Sequence, residues 1–292
     1  MKRSILFLFI LFHFQLELSL GQEALPYTIF KSNGKSISYE KMLKSLEDAD
    51  IVFFGELHNN TINHWLELQV FKSLYQKHHS NLALGLEMLE SDNQLIVDEY
   101  LDGTIQERHF LKEAKLWNNY KTDYHPIVVF AFRNQLKVIA TNIPQRYANL
   151  VYREGLSALD SISDIGKSYI APLPIEVDLT LPGYSAMMQS IGGHGIAQKG
   201  SEAHLAHAQA VKDATMAHFI LRSSNHKVFH INGAYHTQAK EGIVWYINRM
   251  DSSKKIMTIH IVEQSQTDKL EAENKEKADF VIVVPNDMTK SY

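Results

Sequence analysis

Ile51-Val52-Phe53-Phe54-Gly55-Glu56-Leu57-His58 is the stretch on which the fold turns. Four consecutive apolar residues, β-branched and aromatic and closed by a glycine, fit a strand buried on both faces, and such strands belong to parallel sheets. A helix-period segment follows from about Ile62 to His78, and then a second apolar run, Leu82-Ala83-Leu84-Gly85-Leu86, which gives a βαβ rhythm. Further out, the same reading predicts helices near 93–100, 106–116 and 126–134 and strands at 137–140, 227–231, 256–262 and 280–284. The expected class is α/β, a mostly parallel sheet covered by helices on both faces.

Between about 155 and 222 no strand signal stands out. Helical stretches, Pro172, Pro174 and Pro182 and the turn Gly192-Gly193-His194-Gly195 fill that interval. So long a connection between sheet strands is expected to form a helical subdomain, 155–222, inserted into an α/β body made of 22–154 and 223–292.

The composition is that of a globular chain: 292 residues, 45% hydrophobic and 21% charged, which excludes collagen-like, coiled-coil and wholly disordered classes. The chain opens on Met1-Lys2-Arg3, an apolar run from Ile5 to Phe14 and Ser19-Leu20-Gly21, the pattern of a secretory signal peptide expected over 1–21. The run is shorter than the ~20 apolar residues of a spanning helix and meets Glu17, so a membrane anchor is the lesser alternative. Periplasmic or otherwise exported localisation follows as an expectation. With no cysteine there is no disulfide, thiolate ligand or covalent haem attachment, and a lipoprotein is not expected. A net charge of −4 argues against nucleic acid as a partner. Histidines, tyrosines and carboxylates remain for chemistry.

Each apolar run ends in polar residues: Glu56 and His58 after the first, Glu87 after the second, Thr141-Asn142 after 137–140, and Asn232-Gly233-Ala234-Tyr235-His236 after 227–231. Carboxyl ends of parallel strands open on one edge, where ligands of α/β folds bind. Glu56, His58, Glu87, Asn142 and His236 are therefore expected in one cleft. The two imidazoles and two carboxylates Glu56, His58, Glu87 and His236 suit acid–base catalysis or a divalent metal. Taken singly, each is equally a cap or a hydrogen-bonded buried group. His64 could face the same edge from the first helical turn or lie on the surface, and Asp213 could orient His58 or His236 or pair with Lys212.

Gly55-Glu56-Leu57-His58-Asn59-Asn60 with His64, Leu86-Glu87-Met88, Trp117 with Tyr124 and Pro126, Ala140-Thr141-Asn142-Ile143-Pro144, Asp213-Ala214-Thr215-Met216-Ala217 and Asn232-Gly233-x-x-His236 together resemble the iron-regulated, haem-binding ChaN family. The motifs stand in the family's order over about 40–285, and as a set they are specific. The resemblance implies an α/β body with a smaller helical subdomain, export, non-covalent haem b binding in haem and iron acquisition, and a homodimer holding haem at its interface. An outer-membrane haem receptor is the implied partner. It also implies a distant likeness to erythromycin-esterase-like and TIKI-type proteins, which share Gly-Glu-x-His and Gly-x-x-His signatures and include hydrolases. Family members are often lipoproteins, and the absence of cysteine departs from that.

Haem iron needs an axial ligand, here a tyrosinate or an imidazole. In the helical segment, Tyr184 beside Met187 and Met188, with His194 in the glycine-rich turn, is the expected iron site, against a reading of Tyr184 and the methionines as subdomain core. His204, His207, His218 and Tyr147 are rivals, and Arg146 is the candidate partner for a propionate or for a surface carboxylate. The competing function is a hydrolase, metal-dependent or metal-free, acting through the Glu56, His58, Glu87 and His236 cleft.

Overall fold

The computed structural model describes residues 25–192, 202–223 and 225–292. Eight strands form one sheet: β1 (Thr28–Lys31), β2 (Ser36–Ile37), β3 (Ile51–Glu56), β4 (Leu82–Glu90), β5 (Lys137–Asn142), β6 (Lys227–Gly233), β7 (Ile256–Gln264) and β8 (Phe280–Pro285). Their order is β2-β1-β8-β7-β3-β6-β4-β5. From β8 to β5 every pairing is parallel, while β1 runs antiparallel to β8 and to β2. The α/β class expected from the sequence is the class found. The β1–β2 hairpin has no counterpart in the sequence reading, because strands of four and two residues are too short to carry a periodicity.

Strand alternation sorts the core into two layers. Val52, Phe54, Leu84, Leu86, Val138, Phe229 and Ile231 face one side and pack on Leu66, Val70 and Phe71 of helix Thr61–His78 and on Ile127 and Val128 of helix His125–Arg133. Ile51, Phe53, Ala83, Ile139 and Val228 face the other side. There they meet Ala214, Met216, Ala217 and Ile220 of helix Glu202–Arg222 and Ile243, Val244 and Ile247 of helix Ile243–Met250. Phe54 and Phe71 pack on Phe229, and burying each ring stabilises the sheet by ~1.5–3 kcal/mol.

All six expected strands run further than the sequence suggests, and two of the extensions bear on the site. β4 continues through Glu90, with a register shift between Leu86 and Glu90, so Glu87 lies inside the strand; β6 continues to Gly233. Residues 155–222 hold no strand among the described residues. The first half of helix Glu202–Arg222 carries helix Pro182–Gly192 through Tyr184, Ala206 and Ala210, and its second half covers the sheet.

Candidate active site at the strand edge

The carboxyl ends of β3, β4 and β6 bring Glu56, His58, Glu87 and His236 together. β3 stops at Glu56, so His58 does not sit two residues on in the same strand; the chain turns after Glu56, and the His58 ring returns to donate from Nδ1 to Glu56 Oε1 at 2.6 Å. The Tyr124 hydroxyl donates to the same oxygen at 2.6 Å, and Trp117 meets the His58 ring edge-on at 4.9 Å between centroids. Next to this pair, Glu87 Oε2 accepts the Gly233 N–H at 2.7 Å, and Glu87 Oε1 lies 3.2 Å from His236 Nε2. His236 Nδ1 donates to Asp213 Oδ1 at 2.5 Å, and Asp213 Oδ2 accepts the Tyr184 hydroxyl at 2.6 Å. Gly233 joins the two halves: a Cβ there would stand 2.8 Å from His58 Nε2 and 3.7 Å from Glu87 Oε2.

Behind His58 lies a third layer. Asn60 caps helix Thr61–His78, its side chain accepting from the Ile62 and Asn63 N–H groups, and this cap aims the first two turns at the strand edge. His64 and Glu67, three residues apart, share that face. His64 Nδ1 lies 3.2 Å from Glu67 Oε2 and 3.3 Å from Glu56 Oε2; His64 Nε2 faces the His58 carbonyl at 3.2 Å and Asp123 Oδ2 at 3.3 Å. The spacing of His64 and Glu67 is the one signal in the sequence that could have found Glu67. Tyr124, named through the resemblance, and Asp123, which no local pattern marks, come from the turn Tyr120–Tyr124.

The charges follow from burial and partners. Burial alone would raise the Glu56 carboxyl, and the hydrogen bond from His58 together with the neighbouring His64 outweighs it and holds the group well below its ordinary value. Burial would raise Glu87 too, but the charge of His236 brings it down to about 2. Burial disfavours the His236 imidazolium, and the charges of Glu87 and Asp213 overcome this and push it up to about 10. His58 is raised as well, with Glu56 overcoming burial. Burial and then the charge of Glu56 raise Glu67 far above the carboxylate range.

The Glu87–His236 pair predicts a stability profile. His236, raised from 6.5 to about 10, stabilises the fold fully below pH 6.5 and loses this as pH rises toward 10. Glu87, lowered from 4.5 to about 2, contributes fully above pH 4.5 and loses this as pH falls toward 2. Thermal melts are expected to be highest between these limits, and His236→Gln is expected to flatten the alkaline limb. An unchanged alkaline limb in that variant would count against the pair.

The remaining expected residues are placed elsewhere. Tyr184 is buried against Ala206 and Ala210 with its hydroxyl turned inward onto Asp213, and burial followed by the Asp213 charge raises the phenol. Asp213 thus orients His236 and not His58. Met187 and Met188 are half-buried, Met188 against the same cluster. Arg146 is exposed and spent on Asp92 at 2.5 Å, with its guanidinium 4.5 Å from the Tyr147 ring. Asn142 is buried with Oδ1 unpartnered and makes no hydrogen bond to the cluster among the described residues. His194 lies outside the described residues.

Among solved structures the fold is similar to that of "Cofacial heme binding to ChaN of Campylobacter jejuni", at 22% identity and a TM-score of 0.69, covering 89% of this chain and 97% of that one. A Bacillus cereus protein matches at 12% identity and a TM-score of 0.49 over 85% of this chain and 92% of that one. An erythromycin esterase, EreC, matches at 10% identity and a TM-score of 0.47 over 89% and 83%. No match is found among curated proteins. Residues 42–247 match the family described as haem-binding uptake, Tiki superfamily, ChaN, and the chain belongs to that family.

Proposed function

We propose that this chain is an exported haem-binding protein of haem and iron acquisition, working in the periplasm as a homodimer that takes up haem b without covalent attachment and exchanges it with an outer-membrane receptor. The observation that carries the reading is family membership across 42–247. The charged, apolar and small-residue pattern of 1–21 supports export.

A haem needs an apolar seat and an iron ligand. Helices Pro182–Gly192 and Glu202–Arg222 offer the seat, with Met187 and Met188 on the first and His204 and His207 on the second. Tyr184 reaches iron only after leaving Asp213 and shedding a proton that burial and Asp213 hold in place. His207 is better placed: its Nδ1 is buried without a partner, and burial lowers its pKa, so the ring stays neutral as a ligand must be. His204 stands beside it, ring centroids 6.3 Å apart.

Haemin titration, followed by the Soret band and by size exclusion, tests the reading in wild type, Tyr184→Phe and His207→Ala. The expected result is a saturable shift with dimer formation, weakened at least ~10-fold in the variant that removes the ligand. A shift that collapses only in Tyr184→Phe assigns the tyrosine, and one that collapses only in His207→Ala assigns the imidazole. No saturable shift in wild type overturns haem binding.

One observation favours a second reading, hydrolysis. Of the four cleft residues only the His58 side chain is substantially exposed, at 35%, with Nδ1 held by Glu56 and Nε2 facing the open edge beside Gly233. An imidazole oriented by a buried carboxylate is the arrangement of a general base, and His58, Glu87 and His236 could alternatively hold a divalent metal that activates water.

A further inference from the structure

The layer behind His58 is built unlike the cleft in front of it. Glu56, His64 and Glu67 each present one ligand atom, and these atoms lie within 4.8 Å of one another. We propose that Glu56, His64 and Glu67 form a buried site for one divalent first-row transition ion, separate from the Glu87–His236 cleft.

Three features of the geometry support this. Glu56 and Glu67 are each 1% exposed, yet Glu56 Oε2 and Glu67 Oε1 accept no hydrogen bond, although buried carboxylate oxygens are ordinarily paired. Glu56 Oε1 is saturated by Tyr124 and His58, which leaves Oε2, 3.3 Å from His64 Nδ1, for the ion. His64 Nε2 faces a carbonyl and the Asp123 carboxylate, so its N–H belongs there and the Nδ1 lone pair turns to the two glutamates. A ligating histidine that donates its other N–H to a carboxylate is the usual outer arrangement of protein metal sites. Asp123 is itself fixed by the Asn119 amide at 2.8 Å and the Ser291 hydroxyl at 2.7 Å.

Chemistry and access agree with the geometry. Two carboxylate oxygens and one imidazole suit Mn²⁺, Fe²⁺ or Zn²⁺. A hollow of about 480 Å³ lined by His64, Asp123, Trp65, Leu68 and Ile127 leads from the surface to the outer side of the His64 ring. The proposal does not rest on haem binding. An ion here would fix Glu56 and, through it, His58.

The test uses the full chain, stripped by chelator and titrated with Co²⁺ by visible absorption and with Zn²⁺ and Mn²⁺ by calorimetry. One equivalent is expected to bind, with Glu67→Gln weakening it at least ~10-fold and Asp123→Asn by ~10–100-fold. His236→Gln is expected to leave the affinity unchanged. Glu67→Gln keeps shape and volume, and if circular dichroism finds it unfolded, Asp123→Asn carries the test, because Asp123 is not a ligand. Absence of stoichiometric binding in wild type overturns the proposal, as does wild-type affinity in Asp123→Asn. Loss of binding in His236→Gln alone moves the ion to the cleft and also overturns it.

Discussion

Asp213→Ala is expected to lower the thermal midpoint by about 10 °C. Asp213 is fully buried and accepts from His236 and from Tyr184, so its loss leaves an imidazolium with Glu87 as its remaining carboxylate and a buried phenol without its acceptor. Breaking a buried pair by removing one partner costs about 3–5 kcal/mol. For a chain of this size each kcal/mol moves the midpoint by roughly 2–4 °C. Asp213→Asn retains an oxygen for Tyr184 and is expected to lose less. Thermal melts by circular dichroism decide, and a shift in Asp213→Ala below about 2 °C would deny the residue its joining role. The variant is also expected to free helix Pro182–Gly192 from helix Glu202–Arg222, detectable as faster amide exchange in the former.

Gly242→Ala is the second large effect. The glycine has φ +53°, and a Cβ added to it would stand 2.3 Å from the His236 carbonyl oxygen and 3.1 Å from Asp213 Oδ2. The first neighbour is backbone and cannot swing aside, so the turn itself must move and carry His236 off Glu87. Left-handed conformation alone costs a non-glycine residue roughly 1–2 kcal/mol, and the clash adds to it, for an expected total of about 3 kcal/mol. The pH profile gives the confirming readout: a displaced His236 loses the alkaline limb set by its pairing. Gly233→Ala makes the useful contrast. Its close neighbour is the end of the His58 ring, a part-exposed side chain that can rotate, so stability is expected to fall little while the cleft changes shape. Melting temperatures reversed between the two glycine variants would refute this account of the turn.

Much of this arrangement could be read from the chain because it follows from period-2 alternation and from the rule that parallel strands share an edge. Glu56, Glu87 and His236 meet for that reason. His58 meets them by another route, folding back on Glu56 after the strand has ended. Glu67 and Asp123 escaped notice because only the packing of a helix and a turn against β3 gives them their partners, and Tyr124 was legible only through the family resemblance, without its bond to Glu56. Tyr184 illustrates the opposite difficulty. Sequence supplies a phenol near methionines but not its direction, and Ala206 and Ala210 leave room for the ring to enter and reach Asp213. Arg146 was legible as a bidentate donor, whereas its commitment to Asp92 depends on a fold in which 92 and 146 approach.

The position of β3 has a bearing on how the chain reaches this state. The middle strand of the sheet pairs with residues 228–233 on one side and 256–260 on the other, whereas residues 83–86 already find theirs at 137–140. A ribosome or a translocation pore delivers the amino-terminal half first, so β3, with its four buried apolar residues, must wait unpaired until nearly the whole polypeptide has emerged. Long-range parallel pairing of this kind makes for slow folding and an aggregation-prone interval. Refolding from denaturant is therefore expected to be limited by closure of the sheet's centre, and yields should improve when a holding chaperone shields the early segment until the late strands arrive.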